Sequence, residues 1–119
     1  MNKRDLLETM VTELRRALPE IRGAVVASAD GLPIVSQAED AARLAAMAAT
    51  ALGLGKRIAE TTHLGPLEES VVRGRDGYVV VYAVGQQGVL AVIAPADVNL
   101  GLLHLEARDI ARRMAEVLQ

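Results

Sequence analysis

Three segments of this 119-residue chain are apolar at nearly every position, and they restrict the fold more than any other feature of the sequence. They run from Ala24 to Ala27, from Tyr78 to Val84 and from Val89 to Ala94. A strand that is apolar on both sides of its pleat has to be covered on both faces of its sheet. The sequence therefore predicts a sheet between two layers of helices, with these three strands in its interior.

Two further segments predict strands at the edges of that sheet. Leu32 to Ser36 contains Pro33, which cannot donate a hydrogen bond to a neighbouring strand. Glu69 to Arg73 is short and flanked by charged residues, as expected at an edge. Between the first two strands, Asp30-Gly31 predicts a tight hairpin with a type I′ turn.

Apolar residues recur at helical spacing in three other segments. The first covers Lys3 to Leu18, and the second covers Asp40 to His63 with Asp40 as its N-cap. The third begins after Asp97 or Asn99. The predicted order of elements is αββαβββα.

Short loops make neighbours of strands one and two, of three and four, and of four and five. With the two edges assigned as above, the order 2-1-5-4-3 is the one that remains for an antiparallel five-stranded sheet. We therefore predict a single α+β domain, residues 1–119, in three α/β/α layers. The long second helix is expected on one face and the two terminal helices on the other.

Composition excludes several classes of function. There is no cysteine, and thirteen basic residues against fifteen acidic residues leave a net charge of -2 without a basic stripe. Nucleic-acid binding is therefore not expected, since it needs clustered positive charge. No uncharged apolar run approaches the roughly 20 residues of a membrane span, and the N-terminus lacks the apolar stretch of a signal peptide. We expect no membrane insertion and a cytoplasmic location.

The sequence also lacks the patterns of a catalytic, metal or cofactor site. Gly55-Lys56 resembles part of a phosphate-binding loop, but Thr50 stands where that motif needs glycine and Arg57 where it needs Ser or Thr. Neither His63 nor His104 has a second metal ligand four residues away. We therefore predict no enzyme activity, no cofactor and no bound metal.

The long second helix carries two apolar stripes. One consists of larger residues and is predicted to pack on the sheet: Leu44, Met47, Ala51, Leu54 and Ile58. The second is made almost entirely of small residues: Ala41, Ala45, Ala48, Leu52, Gly55 and Ala59. Together they are wider than the arc of about 100° that a one-sided surface helix needs. We interpret the small-residue stripe as the contact with a second chain; the alternatives are burial within its own chain and a general alanine bias.

The edge strand at Glu69 supports the same interpretation. An uncovered edge is a template for pairing, and this one has Val71 and Val72 at its centre. Its charges could block pairing, or they could favour an antiparallel self-pair in which Glu69 lies near Arg73 of the other chain. We favour the self-pair, and we assign both valines and both charged residues to a homodimer interface with the small-residue stripe.

Residues Ile21 to Ile34, with the sequence IRGAVVASADGLPI, resemble the first hairpin of the roadblock/dynein light-chain family in its bacterial form. The long helix from Asp40, the glycine-rich turns between apolar strands, and Asn99 to Leu103 at the start of the last helix are similar too. The resemblance covers nearly the whole chain. Its motifs are features of the fold and not of catalysis.

The resemblance implies a profilin-like fold and a homodimer in which third strands pair into a ten-stranded sheet and central helices pack together. It also implies a small Ras-like GTPase as partner. Helix phase then points to four partner-facing candidates: Arg43, Thr50, Arg57 and Glu60. The expected function is a non-catalytic homodimer that regulates or scaffolds such a GTPase. The alternatives are an oligomerisation scaffold without effect on nucleotide turnover and a small-ligand sensor.

Overall fold

A computed structural model describes all residues, 1–119. The elements are α1 (Lys3–Ala17), β1 (Gly23–Ser28), β2 (Pro33–Gln37), α2 (Ala41–Thr61), β3 (Glu69–Gly74), β4 (Gly77–Val84), β5 (Gly88–Pro95) and α3 (Leu100–Leu118). The predicted order of elements is confirmed.

The five strands form one antiparallel sheet in the order β2-β1-β5-β4-β3. The predicted order and both predicted edges are therefore confirmed. α2 covers one face, and α1 and α3, which pack on each other, cover the other. The α+β three-layer prediction is correct because the apolar runs of β1, β4 and β5 leave neither face free for water.

Each face of the sheet has its own apolar core. The larger core joins the sheet to α1 and α3, and its helical residues, among them Leu7, Leu103 and Met114, are fully buried. The smaller core joins the sheet to α2. Neither core contains a buried charged residue, and the larger core includes one hydroxyl, that of Tyr82.

The turn between β1 and β2 differs from its prediction. Gly31 has a positive φ of 87°, but Asp30 does not, so the turn is not type I′. Instead, the Ser28 amide donates to the Leu32 carbonyl and encloses a three-residue loop that ends with Gly31 in the left-handed region. The type I turn with a bulge is the usual form of such a loop.

The helix starts are only partly as predicted. Asp40 does precede α2, but its φ is 52° and its side chain makes no capping hydrogen bond. At α3, Asn99 and not Asp97 is the cap, because its Oδ1 accepts a hydrogen bond from the Leu102 amide at 3.0 Å.

Candidate interaction surface

The inner face of α2 consists of the small-residue stripe. Ala45, Ala48, Leu52 and Ala59 are at most 5% exposed, and the first three pack on the sheet. A Cβ placed on Gly55 would lie 2.6 Å from Ser70 Oγ and 2.9 Å from Leu67 Cδ2, so a larger side chain there would displace both neighbours. The prediction that these residues face a second chain is therefore wrong, as is the prediction that the larger stripe packs on the sheet.

The larger stripe lies instead on one side of α2, where it is largely open to solvent. Met47, Leu54 and Ile58 are 55%, 58% and 52% exposed, and we call these three residues the apolar flank. Leu44 and Ala51 belong to the same stripe and are partly buried. Small residues beneath the helix let it approach the sheet, and this close approach leaves the larger side chains outside the core.

The apolar flank faces one particular end of the strands. The side of α2 away from the apolar flank lies against the β1–β2 turn, because a Cβ placed on Gly31 in that turn would be 3.5 Å from Ala49 Cβ. Lys56, also on that side, lines a cleft with Gln86 of the β4–β5 turn. Both turns lie at the same end of the antiparallel strands. The apolar flank therefore faces the opposite end, where β3 turns into β4.

At that end of the sheet, a row of apolar residues extends toward the β3 edge. Val72 pairs with Val79, and Val79 pairs with Ile93, so the three side chains share one face across β3, β4 and β5. The alternation along β4 and β5 places them on the α2 face. Val72 is 56% exposed. The apolar flank and this row together form an apolar surface beside a free sheet edge.

The two edges of the sheet differ in their capacity to pair. β2 begins with Pro33, and its register with β1 shifts between Val26 and Ala27. Both features discourage a further strand from adding there. β3 has no proline and a regular register with β4. β3 is therefore the edge that is open to pairing.

The other face of β3 carries charged residues. Glu69, Val71 and Arg73 pair with Tyr82, Val80 and Tyr78, whose side chains lie on the α1 and α3 side. Arg108 of α3 contacts Oε1 of Glu69 through Nε at 2.9 Å and through a terminal nitrogen at 2.8 Å. The hydrogen bond from Arg108 to Glu69 raises the pKa of the guanidinium above its usual value. This ion pair ties the β3 edge to α3.

The outward side of α2 contains the four partner-facing candidates, and all four are exposed. Arg43, Arg57 and Glu60 form no ion pair within the chain. The Thr50 hydroxyl donates to the Ala46 carbonyl at 2.9 Å, so its methyl group and its acceptor lone pairs remain for a contact. Two unpaired arginines make this surface suitable for an acidic partner.

Gly53 lies between these residues in the middle of α2, and a Cβ added there would meet nothing within 4 Å. In a solvent-exposed helix interior, glycine costs about 1 kcal/mol relative to alanine. We therefore expect Gly53→Ala to raise the free energy of unfolding by about 0.5–1 kcal/mol, measured by urea denaturation. Gly55→Ala, which would meet Ser70 and Leu67, is the matched control and should not stabilise.

The buried hydroxyl of Tyr82 lies 2.7 Å from Nδ1 of His104, at a side chain that is only 1% exposed. Burial raises the pKa of this phenol above its ordinary value, and Glu69 contributes in the same direction. As the pH rises past about 10, the Tyr82 phenol therefore ionises in the unfolded chain before it ionises in the folded chain. This difference favours unfolding. Below that pH, both states keep the proton and this effect vanishes.

We expect Tyr82→Phe to cost about 1 kcal/mol at neutral pH, through the lost hydrogen bond. Above pH 10, the variant should lose stability with pH less steeply than the original protein, because the ionising group is gone. Urea midpoints recorded from pH 8 to 11 measure both effects, and parallel pH curves would contradict the second.

None of the three helices has the length and apolar character of a membrane span. No group of three or more His, Asp or Glu side chains is arranged to hold a metal ion. This surface combines the apolar flank, a free strand edge and exposed arginines.

Comparison with known proteins identifies the family. The sequence model of the Roadblock/LC7 domain matches residues 7–94, and the chain belongs to this family. It is 35% identical over 112 residues to the uncharacterized protein MJ1340 of Methanocaldococcus jannaschii, covering 92% of this chain and 96% of that relative. MJ0310 of the same archaeon gives the same identity and coverage.

Solved structures share the fold. The Roadblock/LC7 domain from Streptomyces avermitilis superposes with a TM-score of 0.84 at 23% identity, covering 93% of this chain and 96% of that one. MglB from Myxococcus xanthus gives 0.85 at 17% identity, with 97% and 89% covered. The resemblance seen in the first hairpin and the long helix is thereby confirmed.

Sequence reasoning missed the exposure of Met47, Leu54 and Ile58. The available signal was the length of the small-residue stripe, which runs from Ala41 to Ala59 and so along nearly the whole helix. A stripe of that length suits close packing on a continuous surface, and the chain's own sheet is such a surface.

Proposed function

We propose that this protein is a non-catalytic homodimer that binds a small Ras-like GTPase and regulates or scaffolds it. The observation that carries the proposal is the position of the apolar flank of α2, beside an unpaired β3 edge. Membership of the Roadblock/LC7 family supports a GTPase-regulating or scaffolding role.

The dimer follows from the symmetry of an antiparallel strand pair. If β3 pairs with β3 of a second copy about a two-fold axis perpendicular to the sheet, both α2 helices lie on the same face. Each α2 turns its apolar flank toward the end of its strands where β3 meets β4. The two-fold axis reverses the strand direction in the second copy, so the apolar flank of its α2 points the opposite way. The apolar flanks of the two α2 helices therefore face each other across the axis.

This arrangement replaces the predicted interface with a revised one. The small-residue stripe stays within each protomer, while the contact between helices is made by Met47, Leu54 and Ile58. Val72, which is 56% exposed in the protomer, lies near the axis beneath them. Val71 and the charged residues of β3 remain in the proposed interface on the opposite face.

The paired α2 helices then offer a joint outer surface to the GTPase. Arg43, Thr50 and Arg57 lie on the outward side of α2, and Gly53 between them allows another backbone to approach closely. Such a surface regulates by binding one nucleotide-dependent conformation more tightly than another. The expected contribution is differential affinity and not a catalytic group.

The two alternatives predict different results. A scaffold would capture the GTPase equally with either nucleotide. A small-ligand sensor would need free polar groups between the sheet and a helix layer to orient its ligand. The core under α2 is apolar, and in the larger core the Tyr82 hydroxyl is already bonded to His104. We therefore favour the GTPase partner.

Capture of the host's small GTPases, loaded with GDP or with a GTP analogue, tests the proposal. We expect capture to depend on the nucleotide and to fall at least about tenfold with Arg43→Glu plus Arg57→Glu, since two charge contacts reverse sign. Arg4→Glu, on α1 at the other face, is the matched control. Equal capture in both states with unchanged hydrolysis would leave only the scaffold, and no capture would overturn the proposal.

A further inference from the structure

The face of β3 on the α1 and α3 side has no helix over it. α3 packs on β4 and β5, and its Arg108 extends sideways to contact Glu69 at the start of β3. Val71, at the centre of β3, is 45% exposed, and Arg73 on the same face is exposed too. A single chain therefore leaves this face of β3 open to solvent.

In the proposed homodimer, the two open faces become the floor of one groove. The two-fold axis is perpendicular to the sheet, so both α3 helices lie on the same face, one on each side of the two β3 strands. Because strands are about 4.8 Å apart, an α3 over β4 and β5 lies about 7–10 Å from the two-fold axis, and the two α3 helices are about 14–19 Å apart. Packed helices have a spacing of about 8–10 Å, so a helix between two others needs about 16–20 Å. The groove has room for one helix and not for two.

The floor of the groove favours a helix over an extended segment. The backbone N–H and C=O groups of its strands lie in the plane of the sheet, where they pair with neighbouring strands. An extended segment lying across this floor would leave its own backbone groups without partners, whereas a helix satisfies its own.

The groove has an excess of positive charge. In each chain, three arginines and two glutamates border it: Arg73, Arg108, Arg112, Glu68 and Glu69. The two chains together therefore contribute an excess of two positive charges. Both glutamates contact Arg108, whereas Arg73 forms no ion pair in its own chain. The groove is therefore complementary to a partner that carries carboxylates.

A cleft of about 390 Å³ deepens the groove beside the start of β3. Ala111 and Ala115 of α3 line it, and these small side chains let another element approach α3 closely. Arg112 also lines the cleft, and its side chain is 72% exposed. Its contact Asp109 is shared with Arg113 on the α1 side of the helix, so Arg112 remains available to a further carboxylate.

We infer that this groove binds one amphipathic helix of an acidic partner protein per dimer. The apolar side of that helix packs on the two Val71 side chains, and its carboxylates face Arg73 and Arg112. The inference rests on the proposed homodimer, because a single chain supplies one wall and half of the floor. The GTPase-facing residues of α2 lie on the opposite face of the sheet, so both partners can bind at once.

A synthetic peptide tests the groove. The probe is a fluorescein-labelled helix of about 14 residues, which spans the roughly 20 Å of β3, with leucines on one face and glutamates on the other. Fluorescence anisotropy should show saturation at one peptide per two chains, because the groove lies on the two-fold axis. The same peptide with lysine in place of glutamate is the control and should bind at least about tenfold more weakly.

Arg112→Glu reverses one charge on each wall of the groove. We expect the affinity for the glutamate peptide to fall at least about tenfold. Arg16→Glu makes the same change on the exposed side of α1, away from β3, and should leave the affinity unchanged. The variant Leu54→Glu plus Ile58→Glu, altered on the other face of the sheet, should lose the peptide together with the dimer.

The outcomes separate the two proposals. A dimer that does not bind the glutamate peptide, binds two copies of it, or responds equally to Arg112→Glu and Arg16→Glu would overturn the groove and leave the homodimer standing. A tetramer that Arg112→Glu converts to dimers would identify a second dimer as the occupant and overturn the partner helix. A monomeric original protein at micromolar concentration would overturn the homodimer itself, together with this inference.

Discussion

Replacing Leu54 and Ile58 together with glutamate is expected to convert the protein into a folded monomer. Both side chains are more than half exposed in the protomer, so the substitution should leave its core intact. In the proposed dimer they face a second copy, where burial of each is worth up to about 1.5–3 kcal/mol. Losing these contacts and burying four carboxylates should raise the dissociation constant at least about 100-fold.

Light scattering gives the oligomeric state, and circular dichroism confirms that the monomer is folded. The matched control is the pair Leu6→Glu and Leu32→Glu, which makes the same change at leucines that are 37% and 67% exposed on α1 and in the β1–β2 turn, away from β3. The control should remain dimeric. A Leu54→Glu, Ile58→Glu variant with unchanged mass would show that the apolar flank does not mediate self-association.

Ala48→Glu is expected to destabilise the protomer strongly. Ala48 is 3% exposed and packs with Val25, Val81 and other residues between α2 and the sheet. A glutamate there must bury an unpaired carboxylate and displace neighbours, which costs about 4 kcal/mol or more. Small domains have a total stability of about 5–15 kcal/mol, so this loss is a large share of it.

Urea denaturation of Ala48→Glu and of the control Ala46→Glu measures this difference. Ala46 lies on the exposed side of α2, and its variant should stay within about 0.5 kcal/mol of the original protein. The sequence-based assignment of the small-residue stripe predicts the opposite, namely a folded Ala48→Glu chain that fails to dimerise. The two results distinguish the assignments directly.

The strand order was predictable because each strand carries its own signal. Pro33 excludes β2 from the interior, and the charges around Glu69 place β3 at the other edge. The continuous apolar runs of β4 and β5 require cover on both faces. These are local or nearest-neighbour constraints, and the sheet satisfies all of them.

The two local details that failed depend on more than the residues from which they were predicted. Asp30-Gly31 indicates a turn, but the three-residue loop there also involves Ser28 and Leu32. Asp40 precedes α2 as predicted, yet its left-handed backbone leaves its side chain without a capping bond. Neither outcome is encoded in the dipeptide or the residue type alone.

The same division applies to α2, the element on which the proposed function depends. Its sequence alone determined that the helix has two apolar stripes, one small and one large, and that an edge strand with exposed valines follows it. Only the tertiary structure decided which stripe faces inward. The spacing of apolar residues along a helix gives the angle between its stripes. It does not show how closely the helix approaches the sheet. Here α2 approaches β3 so closely that a larger side chain at Gly55 would displace Ser70 and Leu67, so the small stripe is buried and the apolar flank is left exposed.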